Sequence, residues 1–314
     1  MMSRSATAPI KRRSTALWTR VARHWQLYLL LAPALIYLVL FKYWPMYGVQ
    51  IAFRNYNPID GFLGSEWVGL EHISRFLHSF QFSRIFFNTI AINVLGLVFG
   101  FPVPIILALL INQLASRRLK SFIQTVLFSP AFISTVVVVG MLFVLLSPRS
   151  GLVNNVITLT GGQPINFMNE EGWFRPIYVM SDIWQNAGFS MIIYLAALAA
   201  IDPSLHEAAR VDGANRWQRL WHIDLPGIRP IISIMLILAV GNLLNLGFEK
   251  ALLMQTDLNL GASQIIQTYV YDVGLKSAQF SYSAAISLFN SVLNMILLLV
   301  FNQVAKRAGQ SSLF

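Results

Sequence analysis

Cysteine is absent from this chain, which excludes a disulfide framework, a thiolate metal site and a cysteine nucleophile. Charge is scarce: Asp, Glu, Lys and Arg make up 11% of residues, against roughly a quarter in ordinary soluble domains. The five histidines (His24, His72, His78, His206 and His222) are scattered, without the paired spacing of a zinc site. No G-x-x-x-x-G-K-[ST] phosphate loop occurs, so any ATP spent on this protein's behalf is hydrolysed by another chain. No carboxylate pair is placed for catalysis. The chain is therefore expected to be no enzyme and to hold neither cofactor nor metal.

What is abundant is apolar surface, at 56% of residues. Six stretches reach the roughly 20 apolar residues that a membrane span needs: about 27–52, 85–112, 122–146, 176–200, 230–253 and 283–305. The run from Leu27 lacks a small-x-small cleavage site before Lys42, Tyr43, Trp44 and Pro45, so it is read as a retained span and not a signal peptide. Trp25 and Tyr28 at one end, and Tyr43, Trp44 and Tyr47 towards the other, are placed like interface belts. An even number of spans puts both termini on one side. With that side cytoplasmic, the inside segments carry 15 Lys/Arg (Arg4, Lys11, Arg12, Arg13, Arg20, Arg23, Arg117, Arg118, Lys120, Arg210, Arg216, Arg219, Arg229, Lys306, Arg307) against 4 acids. The outside segments carry 6 against 7. This asymmetry is the positive-inside rule. It accounts for the net charge of +10 without nucleic acid. The expected organisation is an all-α membrane protein of six transmembrane helices with both termini cytoplasmic: a basic tail over 1–24, a membrane domain over 25–305 and a tail over 306–314.

The longest inside insertion, 201–229, holds the most specific wording. Ser204 with Glu207 reads as a capping box, although Asp202-Pro203 also suits a helix entry. Asp212-Gly213 supplies a stop, because glycine takes the left-handed conformation that ends a helix. Trp217, Leu220 and Trp221 follow at i, i+3, i+4 spacing, and Pro226 is expected to block further helix. Glu207-Ala208-Ala209, three residues, Gly213, nine residues, Ile223-x-Leu225-Pro226 resembles at every fixed position the EAA signature of permease subunits of bacterial binding-protein-dependent (type I) ABC importers. The resemblance implies the type I permease fold in the bacterial inner membrane. It also implies ATPase coupling through Glu207, Ala208, Ala209, Asp212, Gly213, Ile223, Leu225 and Pro226. The implied partners are a second permease, making a heterodimer, two ATPase subunits that hold ATP and Mg, an extracytoplasmic solute-binding protein and membrane lipid. Leu31 to Tyr37, Tyr47 to Tyr56 and the region around Trp67 look most like the oligosaccharide and polysaccharide branch, with alginate-type permeases among the relatives.

Polar residues inside the spans include Asn88, Asn93, Gln185, Asn186, Asn242, Asn245, Asn290 and Asn294, with the aromatics Trp184 and Tyr194. Amides and aromatic faces suit a sugar pathway, but amides also hydrogen-bond helix to helix. Asn242 with Asn245, and Asn290 with Asn294, fall at i, i+3 and i, i+4, so each pair is expected to share a helix face. Those faces, with Trp184, Tyr194 and Asn93, are the candidate pathway lining. Asp182 and Glu249 are read as structural carboxylates near outer span ends. Gly96-x-x-x-Gly100 permits close helix contact. The rival reading is an ATP-independent secondary carrier or channel for a small polar solute, which would call for internal repeats or a mid-depth coupling carboxylate.

Overall fold

The computed structural model describes residues 24–245 and 247–307. The basic residues Arg4 to Arg23 and the tail beyond Arg307 lie outside the described residues. Two compact units divide after Gln50. The first carries most of helix α1 (Trp25–Phe53). Trp25 and Trp44 are about 29 Å apart along its axis at 1.5 Å per residue, close to the ~30 Å of bilayer hydrocarbon.

The second unit opens with a small antiparallel ladder that the all-α expectation missed: β1 (Arg54–Asn55) pairs with β2 (Glu66–Trp67), Arg54 opposite Trp67. Between them lies α2 (Gly61–Gly64), and after them α3 (Glu71–Leu77), which buries His72 and Phe76. Then come α4 (Phe82–Asn112), α5 (Arg117–Phe132), α6 (Thr135–Leu145), α7 (Leu152–Leu159), α8 (Glu171–Ala199) and α9 (Pro203–Val211). The chain closes with α10 (Arg216–Gly241), α11 (Phe248–Met254), α12 (Leu260–Ser263), α13 (Ile266–Tyr271) and α14 (Phe280–Arg307). Alone, α1, α4, α10 and α14 are long and apolar enough to cross a bilayer. The pair α5 and α6, bent by 95°, and the pair α8 and α9, bent by 69°, raise the candidate spans from four to as many as six.

Two expected spans differ in detail. The third is broken at Ile133-Ser134, where Ser134 caps α6 by accepting from the Val137 N–H. The fifth starts at Arg216 and ends at Gly241, not near residue 253, because glycine followed by asparagine favours a helix end. Helix begins afresh at Phe248.

Prolines do not end these helices as expected. Turns widened to an i→i+5 pattern occur at Val39–Tyr43, Gly96–Gly100, Leu220–Asp224 and Asp272–Lys276, and each of the first three is followed two residues on by a proline: Pro45, Pro102 and Pro226. A helical proline lacks a donor and collides with the carbonyl four residues back. Those carbonyls, of Phe41, Val98 and His222, all lie in the widened turns, which relieve both defects. Pro226 therefore sits inside α10 and does not block it.

Three buried clusters fill the second unit. One joins Ile105, Ala108, Leu109 and Ile111 of α4 to Met191, Tyr194 and Leu198 of α8 and Leu220 and Ile228 of α10. Another joins Ile92, Phe174, Tyr178, Met254 and Ile265. The third gathers Phe76, Ile85, Tyr269, Tyr282 and Ile286. Helix α8 approaches α5 most closely at Gly188, where a Cβ would overlap the Leu127 carbonyl. In the Gly96-x-x-x-Gly100 pattern, a Cβ at Gly100 would touch Ile183, whereas one at Gly96 would meet nothing within 4 Å. Gly188→Ala should cost about 1–3 kcal/mol as an overpacking change, since the opposing atoms are backbone. Thermal unfolding in detergent should show a lower midpoint for Gly188→Ala and none for Gly172→Ala, whose Cβ position is open; equal midpoints would refute the close approach.

Candidate functional site

Local chemistry shapes the 201–229 loop. Asp202, not Ser204, caps α9: its carboxylate accepts from the Ser204 N–H at 2.9 Å, with Pro203 in the first helical position. The bonded Ser204 N–H holds the Asp202 carboxyl below the ordinary carboxylate range. The expected Ser204–Glu207 box is thus displaced by one helix entry, because proline fixes the first turn earlier. Glu207 is exposed and, among the described residues, makes no hydrogen bond or ion pair. Ala208 is exposed beside it and Ala209 is half-buried.

Gly213 ends α9 at φ +79°. Its N–H donates to Arg210 and the Ala214 N–H to Ala209, the paired bonds of a Schellman stop, with exposed Asp212 preceding it. Asn215 then starts α10 with a reciprocal capping box to Gln218. Leu220 enters the core, while Trp217 and Trp221 stay 66% and 60% exposed, so the three do not bury one common face. Ile223 and Leu225 are half-buried and Pro226 is exposed.

The residue that sequence reasoning passed over is Asp224, the unspecified position between Ile223 and Leu225. It is fully buried. Gln113 Nε2 donates to its Oδ2 at 2.8 Å, and His206 Nε2 stands 3.3 Å from Oδ1. A lone acid flanked by apolar signature residues was the available signal.

The second feature is a cavity of about 520 Å³ lined by Asn93, Tyr178, Asp182, Asn186, Asn245, Glu249 and Lys250, among others. Buried Lys250 places Nζ 3.6 Å from Asp182 Oδ1 and 5.2 Å from the centre of the Tyr178 ring. Asn186 Nδ2 donates to Asp182 Oδ1 at 3.0 Å. Tyr178 donates to the Gly247 carbonyl at 3.3 Å. Asp182 is about 16 Å from the start of α8, where Lys250 and Asn186 hold its carboxylate. Glu249 opens α11, where a helix N-terminus favours negative charge.

The other candidates separate. Asn242 and Asn245 share no helix face, because α10 has already ended; only Asn245 lines the cavity. Asn290 and Asn294 do share a face of α14 and are buried. Their amides go to the break after α10: Asn294 Oδ1 accepts from the Leu244 N–H at 3.0 Å, and Asn290 Nδ2 donates to Asn245 Oδ1 at 3.2 Å. Tyr194 is 2% exposed inside the core, and Trp184 faces a separate apolar cavity of about 330 Å³ with Met141 and Met180. Neither lines the polar cavity. Gln185 does, but its Nε2 donates to the Ile133 carbonyl at 2.9 Å. Asn88 is taken up by the carbonyls of Gly261 and Gln264 and by Arg175. This chemistry offers hydrogen bonds and one ion pair to a passing solute. Among the described residues no group of three His, Cys, Asp or Glu could hold a metal ion.

Residues 100–310 match the family described as binding-protein-dependent transport system inner membrane component. The chain belongs to that family. The permease is 46% identical over 288 residues to the polygalacturonan/rhamnogalacturonan transport system permease protein YteP of Bacillus subtilis (strain 168), covering 92% of this chain and 90% of YteP. It superposes on a bacterial ABC transporter involved in the import of the acidic polysaccharide alginate with TM-score 0.86 and 40% identity, over 93% of this chain and 98% of that one. A second alginate transporter structure, in complex with alginate pentasaccharide-bound periplasmic protein, gives TM-score 0.87 and 38% identity over 95% and 99% of the two chains. The permease is thus a multi-pass protein of the bacterial inner membrane and a transport subunit, not an enzyme. The rival reading of an ATP-independent carrier falls with that membership.

Because Gly213 has open space around its Cβ position, a side chain there meets only conformational strain. Gly213→Val should cost about 1–2 kcal/mol and speed hydrogen exchange at Ala214 and Asn215 about fivefold to thirtyfold, while Gly213→Asn, which tolerates the left-handed region, should change it little. Indistinguishable exchange in the two variants would refute the stop.

Proposed function

We propose that the permease forms half of the translocation pathway for an oligo- or polysaccharide of acidic sugars and couples it to separate ATPase subunits through α9. The other half comes from a second permease in a heterodimer. Two ATPase subunits bind ATP and Mg beneath, and an extracytoplasmic binding protein delivers the solute. In this reading residues 1–24 and 306–314 are cytoplasmic tails flanking a six-span domain over 25–305. The observation that carries the solute class is the near full-length likeness to a polygalacturonan/rhamnogalacturonan permease and to importers of the acidic polysaccharide alginate. The cavity supports it: Asn93, Asn186 and Asn245 supply amides for sugar hydroxyls, and Lys250 supplies a cation for a uronate carboxylate. Asp182 holds Lys250 in place, so a solute carboxylate competes with an existing partner and binds reversibly, as passage demands.

Coupling follows from what α9 presents. Exposed Glu207 beside small Ala208 gives a helix whose surface another protein can approach closely, the mode of an amphipathic helix in a groove. The Gly213 stop and the Asn215 cap fix its angle to α10, and rigid rocking of the attached spans opens the cavity alternately to each side.

Two outcomes test this. In proteoliposomes holding the whole complex, uptake of oligogalacturonate or oligoalginate should exceed that of neutral maltotetraose, and Lys250→Gln should lower acidic uptake by about tenfold, the worth of one hydrogen bond to a charged group. Equal uptake of acidic and neutral glycans by both forms would remove the solute assignment. Glu207→Ala, made with the partner permease's loop also altered, should weaken retention of the ATPase subunits by about one to two orders of magnitude. Normal retention and normal transport in that complex would remove α9 from the coupling role.

A further inference from the structure

We infer that Asp224 is a positioning residue of the transport cycle, joining α9 to the cytoplasmic ends of α4 and α10 through His206 and Gln113. The inference rests on the coupling role proposed for α9 and names the joint through which that helix would move the spans.

The geometry is specific. Asp224 is 0% exposed. It ends the widened turn Leu220–Asp224, and one extra residue per turn rotates every later side chain by about 100° relative to a regular helix. That rotation delivers the carboxylate into the angle between three helices. Gln113, directly after α4, donates to Oδ2. His206, one residue before Glu207 on α9, faces Oδ1 at 3.3 Å, while Glu207 points to the exposed side. Oδ1 receives no hydrogen bond from any described residue, so the imidazole is its one polar neighbour at ion-pair distance. Without the imidazole this oxygen would be buried alone, which is costly. Arg219, one turn earlier on α10, adds positive charge beside the pair. Arg210, Arg216 and Glu207 line an adjoining cavity of about 640 Å³.

Apolar contacts beneath a hinge can slide. A buried carboxylate with a polar neighbour at each oxygen has one favoured geometry, and losing either neighbour strands an oxygen. Placed at the root of α9, it makes displacement of that helix a displacement of α4 and α10 as well.

The test uses the whole complex in nanodiscs with Asp224→Asn, His206→Gln, the double variant and Glu207→Ala. We measure assembled yield, maximal ATPase rate under loaded binding protein, and the binding-protein concentration at half-maximum. Asp224→Asn and His206→Gln should each lower the maximal rate by about tenfold, as loss of one hydrogen bond to a charged group would, with the half-maximal concentration within about twofold of the original. The double variant should be no worse than either single one, because both remove the same link. Rates near the original in both singles, losses that multiply in the double, or a loss confined to yield would each overturn the inference. If Asp224→Asn fails to assemble, His206→Gln carries the test alone, since it alters a half-buried side chain on a short helix and none of the four helices long and apolar enough to cross a bilayer alone. A complex uncoupled by Glu207→Ala but indifferent to His206→Gln sinks only this joint. Indifference to Glu207→Ala as well sinks the coupling role beneath it.

Discussion

In hydrocarbon no water is available to a free N–H or C=O, and each unsatisfied backbone group costs several kcal/mol. The rest of this fold depends on how the chain meets that demand while breaking its own helices. Breaks occur between α5 and α6 and between α10 and α11, and at both an amide from a different helix supplies the missing partner. Gln185 of α8 takes the Ile133 carbonyl. Asn294 of α14 takes the Leu244 N–H, Gln267 takes the Leu244 carbonyl, and Tyr178 takes that of Gly247. Asn154 does the same for the segment between α6 and α8, holding Leu146, Ser147 and Ile165. Asn88, Gln185 and Asn294 are therefore answers to backbone outside their own helices.

Such distant partners explain how much could be read from residues alone. The loop stop at Gly213 was legible because it is local: the residues that make it lie within a few positions of one another. The all-helical, several-span character was legible because hydropathy averages over a whole helix, whereas the break in the third expected span and the end of the fifth were not. Asn242 and Asn245 were misread because their spacing counts as one face only if the helix continues, and whether it does depends on Asn290 and Asn294, some 50 positions away. Trp184 and Tyr194 have the chemistry of a sugar site, but side-chain type does not say which cavity a helix face meets. Asp224 was invisible for a similar reason, since its inward direction is set by a widened turn that no propensity announces.

The widened turns also settle an apparent conflict in the chain. A proline in mid-span ought to break or kink a helix by about 3 kcal/mol or more, yet Pro45, Pro102 and Pro226 lie in helices that continue past them. Each helix relaxes just before the ring and then resumes. The cost is a local change of phase, and the phase change has structural uses: at Gly96–Gly100 it puts both glycines and Leu97 on the polar cavity, and at Leu220–Asp224 it turns an acid into the protein.

Loop and cavity are joined by the same two helices. On α8, Asp182 in the cavity and Ala199 at the entry to the loop are about 26 Å apart. On α10, Asp224 at the loop and Asn242 at the break after Gly241 are about 27 Å apart. Both rods are uninterrupted over those lengths, and each is keyed to a neighbour by a glycine with no room for a side chain: Gly188 against the backbone of α5, Gly241 against Leu298 of α14. A displacement of the loop therefore has little freedom to dissipate within α8 or α10. It must emerge where the chain is not a rod, at Ile133-Ser134 and at the residues after Gly241. Thr135, just after the first of these, and Leu243 and Asn245, in the second, line the cavity of the Asp182–Lys250 pair, and cross-helix amides hold both breaks by a few hydrogen bonds apiece. The breaks that burden the fold with unsatisfied backbone are thus also joints at which its cavity can change shape.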